Sequence, residues 1–180
     1  MSDDITDAIN RIRGKLTAKA IAFKPVSREE VEAFETEHGI ALPEGYRRFV
    51  LEIGNGGEKF YDIVPLGRVP RHFHRRAEDE FARLANPFPF TKFWVWEAED
   101  SPDEARMEQV GDGRLILGDQ GCGIYWALIV TGPQRGQMWH LTGEGIQPCA
   151  PPRDFLSWYE YWLDGHSDWW ADFVWPSDHR

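Results

Sequence analysis

Apolar residues recur at helical spacing in the first stretch of the chain. Ile5, Ile9, Ile12 and Leu16 follow one another at steps of three or four residues, with mostly polar residues between them. This spacing places all four on one face of an amphipathic helix. We therefore predict an N-terminal helical arm within residues 1–24 that packs through its apolar face.

Two further helices are indicated directly after this arm. Ser27 and Glu30 have the spacing of a capping box, in which each residue caps the other across the first helical turn, and Gly39 provides a stop. A second apolar pattern predicts a helix at residues 43–53, which the glycine-rich run at 54–57 would end. We expect these two helices to pack as a hairpin.

Shorter apolar runs follow and predict a sheet. Residues 60–64 and 92–96 resemble strands, and the pattern over 73–84 predicts a helix between them. A three-stranded meander is then expected, with strands at 114–117, 124–130 and 137–141 separated by turn residues. Its middle strand is almost entirely apolar, so we expect it to lie centrally with helices covering both of its faces.

The chain is predicted to close with one more helix. Asp154 is a suitable N-cap and Gly165 a suitable end for it. An aromatic tail at 165–180 follows, and it is expected to pack on this chain or on another one. Its exposed candidates are Trp169, Trp170 and Trp175. The pattern as a whole predicts a single α+β domain over residues 1–180, with helices packed on a mixed or antiparallel sheet.

Composition and charge narrow the class of protein. Residues 1–90 carry a net charge of −1 and residues 91–180 a net charge of −9, which together give the −10 of the whole chain. Such a field repels nucleic acid and anionic membranes and accelerates encounter with a basic partner. No apolar run is long enough for a membrane span, no signal peptide is evident, and there are only two cysteines, so the expected location is the cytoplasm.

The acidic excess is concentrated in one segment between two predicted strands, where we expect a surface loop or a short helix. This segment is the predicted partner-binding surface. Its acidic residues are Glu97, Glu99, Asp100, Asp103, Glu104 and Glu108.

Several motifs in a fixed order resemble the SUKH superfamily, the cell-wall-assembly-regulator-like domain of many bacterial immunity proteins. They include the segment at 42–49, Asn55-Gly56-Gly57, Gly121-Cys122-Gly123, Trp139 and Trp158. The resemblance covers about residues 27–164. It implies an α+β fold and a non-enzymatic protein that binds and neutralises a cognate bacterial toxin, such as a basic nuclease or deaminase. It implies no particular toxin and no oligomeric state.

Other readings of the chain rest on weaker signals. Cys122, with His140 and Asp119, could form a nucleophilic site, but a half-buried structural cysteine is the preferred interpretation. His72 and His74, with Arg71, Arg75 and Arg76, form the only concentrated basic patch, yet no further ligands complete a metal site. We therefore predict no catalytic residue, no metal and no cofactor. A regulatory or scaffolding interaction module without a toxin is the alternative function, since one fold serves both roles.

Overall fold

The computed structural model describes residues 2–57, 60, 63–96 and 102–166. Several residues singled out in the sequence lie outside these ranges. They are Glu97, Glu99, Asp100, Trp169, Trp170 and Trp175.

Four longer helices carry most of the helical structure. They are α1 (Ser2–Ala18), α2 (Arg28–His38), α3 (Glu44–Glu52) and α6 (Phe155–Leu163). The predicted capping box is present at α2, where Ser27 and Glu30 exchange hydrogen bonds, and Gly39 ends the helix in the left-handed conformation. Asp154 caps α6 by accepting a hydrogen bond from the Ser157 amide. The sequence therefore predicted both ends of α2 and the start of α6.

The sheet has five strands among the described residues, and every pairing between them is antiparallel. The strands lie in the order β1, β5, β4, β3, β2. Their bounds are β1 (Trp94–Val95), β2 (Arg114–Gly121), β3 (Ile124–Ile129), β4 (Met138–Leu141) and β5 (Gly145–Pro148). The predicted meander is confirmed as β2, β3 and β4, and β5 was missed. The protein is an α+β domain, as the pattern predicted.

One side of the sheet, which we call the helix face, is packed against the four longer helices. Trp126 and Leu128 of β3 point into this core, and Ile9 and Ile12 of α1 are completely buried there. Lys15 of α1 also pairs with Asp164 beside α6 at 2.6 Å. The first helix is thus an integral part of the core, although the residues that carry the family resemblance begin only after it.

The opposite side, which we call the loop face, is covered differently. Tyr125, Ala127 and Ile129, the alternate residues of β3, point to it because successive side chains of a strand face opposite ways. They contact Phe73, Phe88, Phe90 and Trp94, which are held on irregular segments and the short β1. Burial of the middle strand on both faces was correct, but the four longer helices cover only the helix face, and the loop face receives only the short α5 (Glu104–Gln109), through Met107, among the described helices.

Three predicted elements differ from the structure. The expected strand at 60–64 is wrong in its described part, where Ile63 forms an isolated bridge with Gly57. The expected helix over 73–84 shortens to α4 (Ala77–Phe81), because Phe73 instead packs edge-on against Tyr125 at 5.0 Å. The strand at 92–96 reduces to the two residues of β1. In all three cases at least part of the apolar run serves tertiary packing outside a regular element.

Candidate functional site

A cavity of about 390 Å³ opens on the loop face, between α5 (Glu104–Gln109), the β2–β3 hairpin and the β4–β5 turn. Its walls combine aromatic and aliphatic side chains with positive charge. The described lining residues are His74, Arg75, Trp96, Met107, Val110, Gly111, Arg114, Gly123, Tyr125, Leu141, Thr142 and Gly143. The cavity has the size and mixed character of a ligand-binding pocket.

A buried ion pair forms the floor of this region. Arg114 at the start of β2 is 3% exposed, and its Nε donates to Glu80 Oε1 of α4 at 3.0 Å. Arg75 Nη1 lies 3.7 Å from the other oxygen of Glu80, too far for a hydrogen bond. Two guanidinium groups therefore converge on one carboxylate, and burial keeps solvent from screening them.

A second pair extends the charged cluster. Arg83 Nη2 lies 2.8 Å from Asp112 Oδ1, and Asn86 also donates to that oxygen at 3.0 Å. Gly113 makes this arrangement possible. It has φ of 57°, and a Cβ there would meet the backbone of Asn86 and Phe88 at less than 3 Å. Only glycine lets the segment around Asn86 approach the beginning of β2 so closely.

The positive potential of this cluster contributes to lowered pKa values of two of its groups. The pKa of His74 is lowered, first by desolvation and then by the charges of Arg75 and Arg114. The pKa of Arg114 is also lowered, mainly by burial, with Glu80 opposing that effect. Both shifts have the sign expected for cations that are partly removed from water and held near other cations.

The apolar wall of the cavity is fixed by specific contacts. The indole nitrogen of Trp96 donates to the carbonyl of Gly143 at 2.7 Å, which joins the end of β1 to the β4–β5 turn. The guanidinium of Arg106 lies 4.3 Å from the ring centroid of Trp94, a cation–π contact that holds α5 against β1. The wall is therefore built by tertiary contacts between loops.

The predicted acidic surface lies beside this cavity in its described part. Asp103 caps α5 by accepting a hydrogen bond from the Ala105 amide at 2.9 Å, and Glu104 and Glu108 are exposed on the helix. Met107 of the same helix lines the cavity. Helix α5 thus presents carboxylates to solvent on one side and apolar surface to the cavity on another.

The cysteine hypothesis does not match the geometry. Cys122 is exposed, not half-buried as we expected, because it occupies the two-residue turn between β2 and β3 with φ of 54°. Asp119 accepts a hydrogen bond from the Gly121 amide there. His140 is 1% exposed within the core, and burial lowers its pKa to about 4. An exposed thiol and an enclosed imidazole do not form a nucleophile and base pair.

Sequence reasoning found only part of the site. His74 and Arg75 belonged to the basic patch already noted, and the structure places both at the cavity. His72 contributes a backbone carbonyl that accepts from the Tyr125 hydroxyl at 3.4 Å. Glu80 and Arg114 were missed. The available signal for Arg114 was its place at the start of the apolar run at 114–117, because the residues of such a run are normally buried.

Two searches for other kinds of site gave negative results within the described part of the chain. No cluster of three or more histidine, cysteine, aspartate or glutamate side chains there is suited to hold a metal ion. None of the helices described is both long and apolar enough to cross a membrane.

The fold and the cavity define an α+β domain with a helix-packed scaffold on one face and a charged, partly open face on the other. The chain belongs to the SMI1/KNR4 family (SUKH-1), whose family model matches residues 25–164. Domains of this family are generally immunity or regulatory proteins rather than enzymes. Comparison with curated proteins found no match, and comparison with solved structures found none either.

Proposed function

We propose that this protein is an immunity protein that binds and neutralises a cognate bacterial protein toxin in the cytoplasm. Membership of the SUKH-1 family is consistent with that role. The observation that carries the proposal furthest is the exposed acidic side of α5, which lies in the half of the chain with a net charge of −9. A basic toxin, such as a nuclease or deaminase, would be attracted to this surface, and the bound protein would cover the active site of the toxin.

The proposed contact surface comprises the whole acidic segment, of which the described part, on α5, adjoins the charged cavity. Its residues are Glu97, Glu99, Asp100, Asp103, Glu104 and Glu108. Charge complementarity of this kind mainly raises the association rate, since long-range attraction acts before the two proteins touch. The final affinity would depend more on apolar anchors. Trp96 and Met107, which line the adjoining cavity, are the proposed anchors.

Binding to the product of the adjacent gene tests this proposal. The two proteins would be mixed in purified form, with association followed at low and high salt and with the toxin's activity measured alongside. We expect fast association that slows as salt rises, together with loss of toxin activity. A neighbour that encodes no toxin, or a purified toxin that neither binds nor is inhibited, would favour a regulatory module.

Matched charge reversals locate the surface. The variant with both Glu104→Lys and Glu108→Lys should associate about tenfold more slowly at low salt. The variant with both Glu29→Lys and Glu37→Lys changes the net charge equally on α2, where both residues are exposed, and should associate nearly as fast as the parent. Equal slowing by the two variants would mean that net charge, and not this surface, controls the encounter.

A further inference from the structure

The described residues that line the cavity carry a positive net charge, opposite in sign to the net charge of the protein. Among its described residues are two arginines and one histidine, and not one carboxylate. The chain as a whole carries ten more acidic than basic residues. In such a chain, a set of described lining residues that includes Arg75 and Arg114 and no acid is a marked local reversal. It would attract an anion that the rest of the surface repels.

The charges of the described residues below the cavity do not cancel. Among them, Arg75, Arg83 and Arg114 have two carboxylate partners, those of Glu80 and Asp112. Within the described part of the chain, this leaves one excess positive charge in a largely buried cluster. The Nη1 atom of Arg114 is buried and has no hydrogen-bond acceptor among the described residues. Arg75, whose side chain is 30% exposed, lies 3.7 Å from Glu80, beyond hydrogen-bond distance, so this ion pair leaves its guanidinium donors available to a ligand.

The rest of the wall is suited to an apolar group. Trp96, Met107, Val110, Tyr125 and Leu141 contribute aromatic and aliphatic surface around the cations. The volume of about 390 Å³ lies within the range of roughly 300–1,000 Å³ that is usual for sites of small organic molecules. A purely inorganic anion would leave this apolar wall without a partner.

A second groove, on the helix side, provides a comparison in which the arginines are paired with carboxylates. It has a volume of about 480 Å³ and is lined by Arg28, Arg47 and Arg48, but Glu44 and Glu52 line it as well. Arg48 Nε donates to Glu52 there at 2.7 Å. Glu32 and Glu35, which lie outside the lining, pair with Arg28 and Arg47, so each arginine of that groove has a carboxylate partner and the groove offers no excess charge to a ligand.

We propose that the cavity on the loop face binds a small organic anion, a carboxylate carried on an aromatic or branched aliphatic group. Arg75 pairs with the carboxylate, with Arg114 adding its charge from behind. The apolar part of the ligand lies against Trp96 and Tyr125. This inference depends on the cavity and not on the acidic side of α5, so it can be tested without a toxin, although Trp96 serves in both proposals.

Amide NMR spectra of the intact protein test the inference directly. Gly111, Gly123 and Gly143 line the cavity, and their backbone amides report on occupancy. The probes are phenylacetate, hydrocinnamate and isocaproate, with phenylacetamide as the uncharged match of the first. We expect at least one of the three carboxylates to shift these amides saturably at millimolar concentration and phenylacetamide to bind at least about tenfold more weakly. The inference is wrong if no carboxylate does so, or if phenylacetamide binds equally well.

Substitutions at two arginines distinguish binding at this site from a general effect of net charge. Arg75→Gln should weaken binding of the best carboxylate about tenfold, while Arg75→Lys should retain part of it because the charge remains. Arg71→Gln removes the same charge from an exposed residue of the same segment that does not line the cavity, and it should bind like the parent. Equal weakening by Arg71→Gln, or none by Arg75→Gln in a variant with an unchanged spectrum elsewhere, would overturn the assignment.

Discussion

The two faces of the sheet bury similar strand residues in very different surroundings. On the helix face, Trp126 is 1% exposed and packs edge-on against Trp158 of α6 at 5.6 Å. On the loop face, the neighbouring Tyr125 borders an open cavity and the cluster that includes Glu80 and Arg114. Regular helices make a dense apolar core, whereas irregular segments leave room for charge and solvent. The difference separates the part of the molecule that holds the fold from the part that is available for binding.

The largest effect is expected from Trp126→Ala. This change removes a large, fully enclosed ring from the helix face and should lower the free energy of unfolding by about 4 kcal/mol. The matched change on the loop face, Tyr125→Ala, should cost about 2 kcal/mol or less, because that ring already lines an open space. Urea denaturation of both variants measures the difference. Equal losses would show that the two faces contribute alike to stability.

Breaking the buried ion pair should have the next largest effect. Glu80→Gln leaves Arg114 buried beside other cations with no anion to balance it, and we expect a loss of about 3 kcal/mol in the free energy of unfolding. The double variant with Arg114→Met removes both charges and should recover most of that loss. Denaturation of the single and double variants measures this coupling. A double variant no more stable than Glu80→Gln would contradict the assigned pairing.

Acid should destabilise the protein through His140. Burial lowers its pKa from 6.5 to about 4 in the folded state, so the unfolded chain binds the proton more readily. Stability is therefore fully present above pH 6.5 and falls as the pH drops toward 4, by about 2 kcal/mol at pH 4.5. His140→Gln should flatten this part of the stability profile. An unchanged slope would mean that other groups cause the acid sensitivity.

The sequence predicted the helix face better than the loop face, for a physical reason. Local capping residues mark the starts of α2 and α6, Ser27 and Glu30 in one case and Asp154 in the other. The covering of the loop face depends on contacts distant in sequence, such as Phe73 on Tyr125 and Glu80 on Arg114. No periodicity encodes such contacts, so the expected helix over 73–84 was too long and the charged cluster was not foreseen.

The smallest predicted effect compares two helix caps of the same chemistry. Asp154 caps α6, whose Trp158 and Tyr159 are fully buried, while Asp103 caps α5, which has no buried residue within its bounds. Asp154→Ala should lower the free energy of global unfolding by about 1 kcal/mol, because α6 forms with the core. Asp103→Ala should leave global unfolding nearly unchanged and instead speed amide exchange in α5, since that helix can open while the core stays folded. If Asp103→Ala lowered global stability as much as Asp154→Ala, the loop face would unfold together with the scaffold and could not serve as an independently adaptable binding surface.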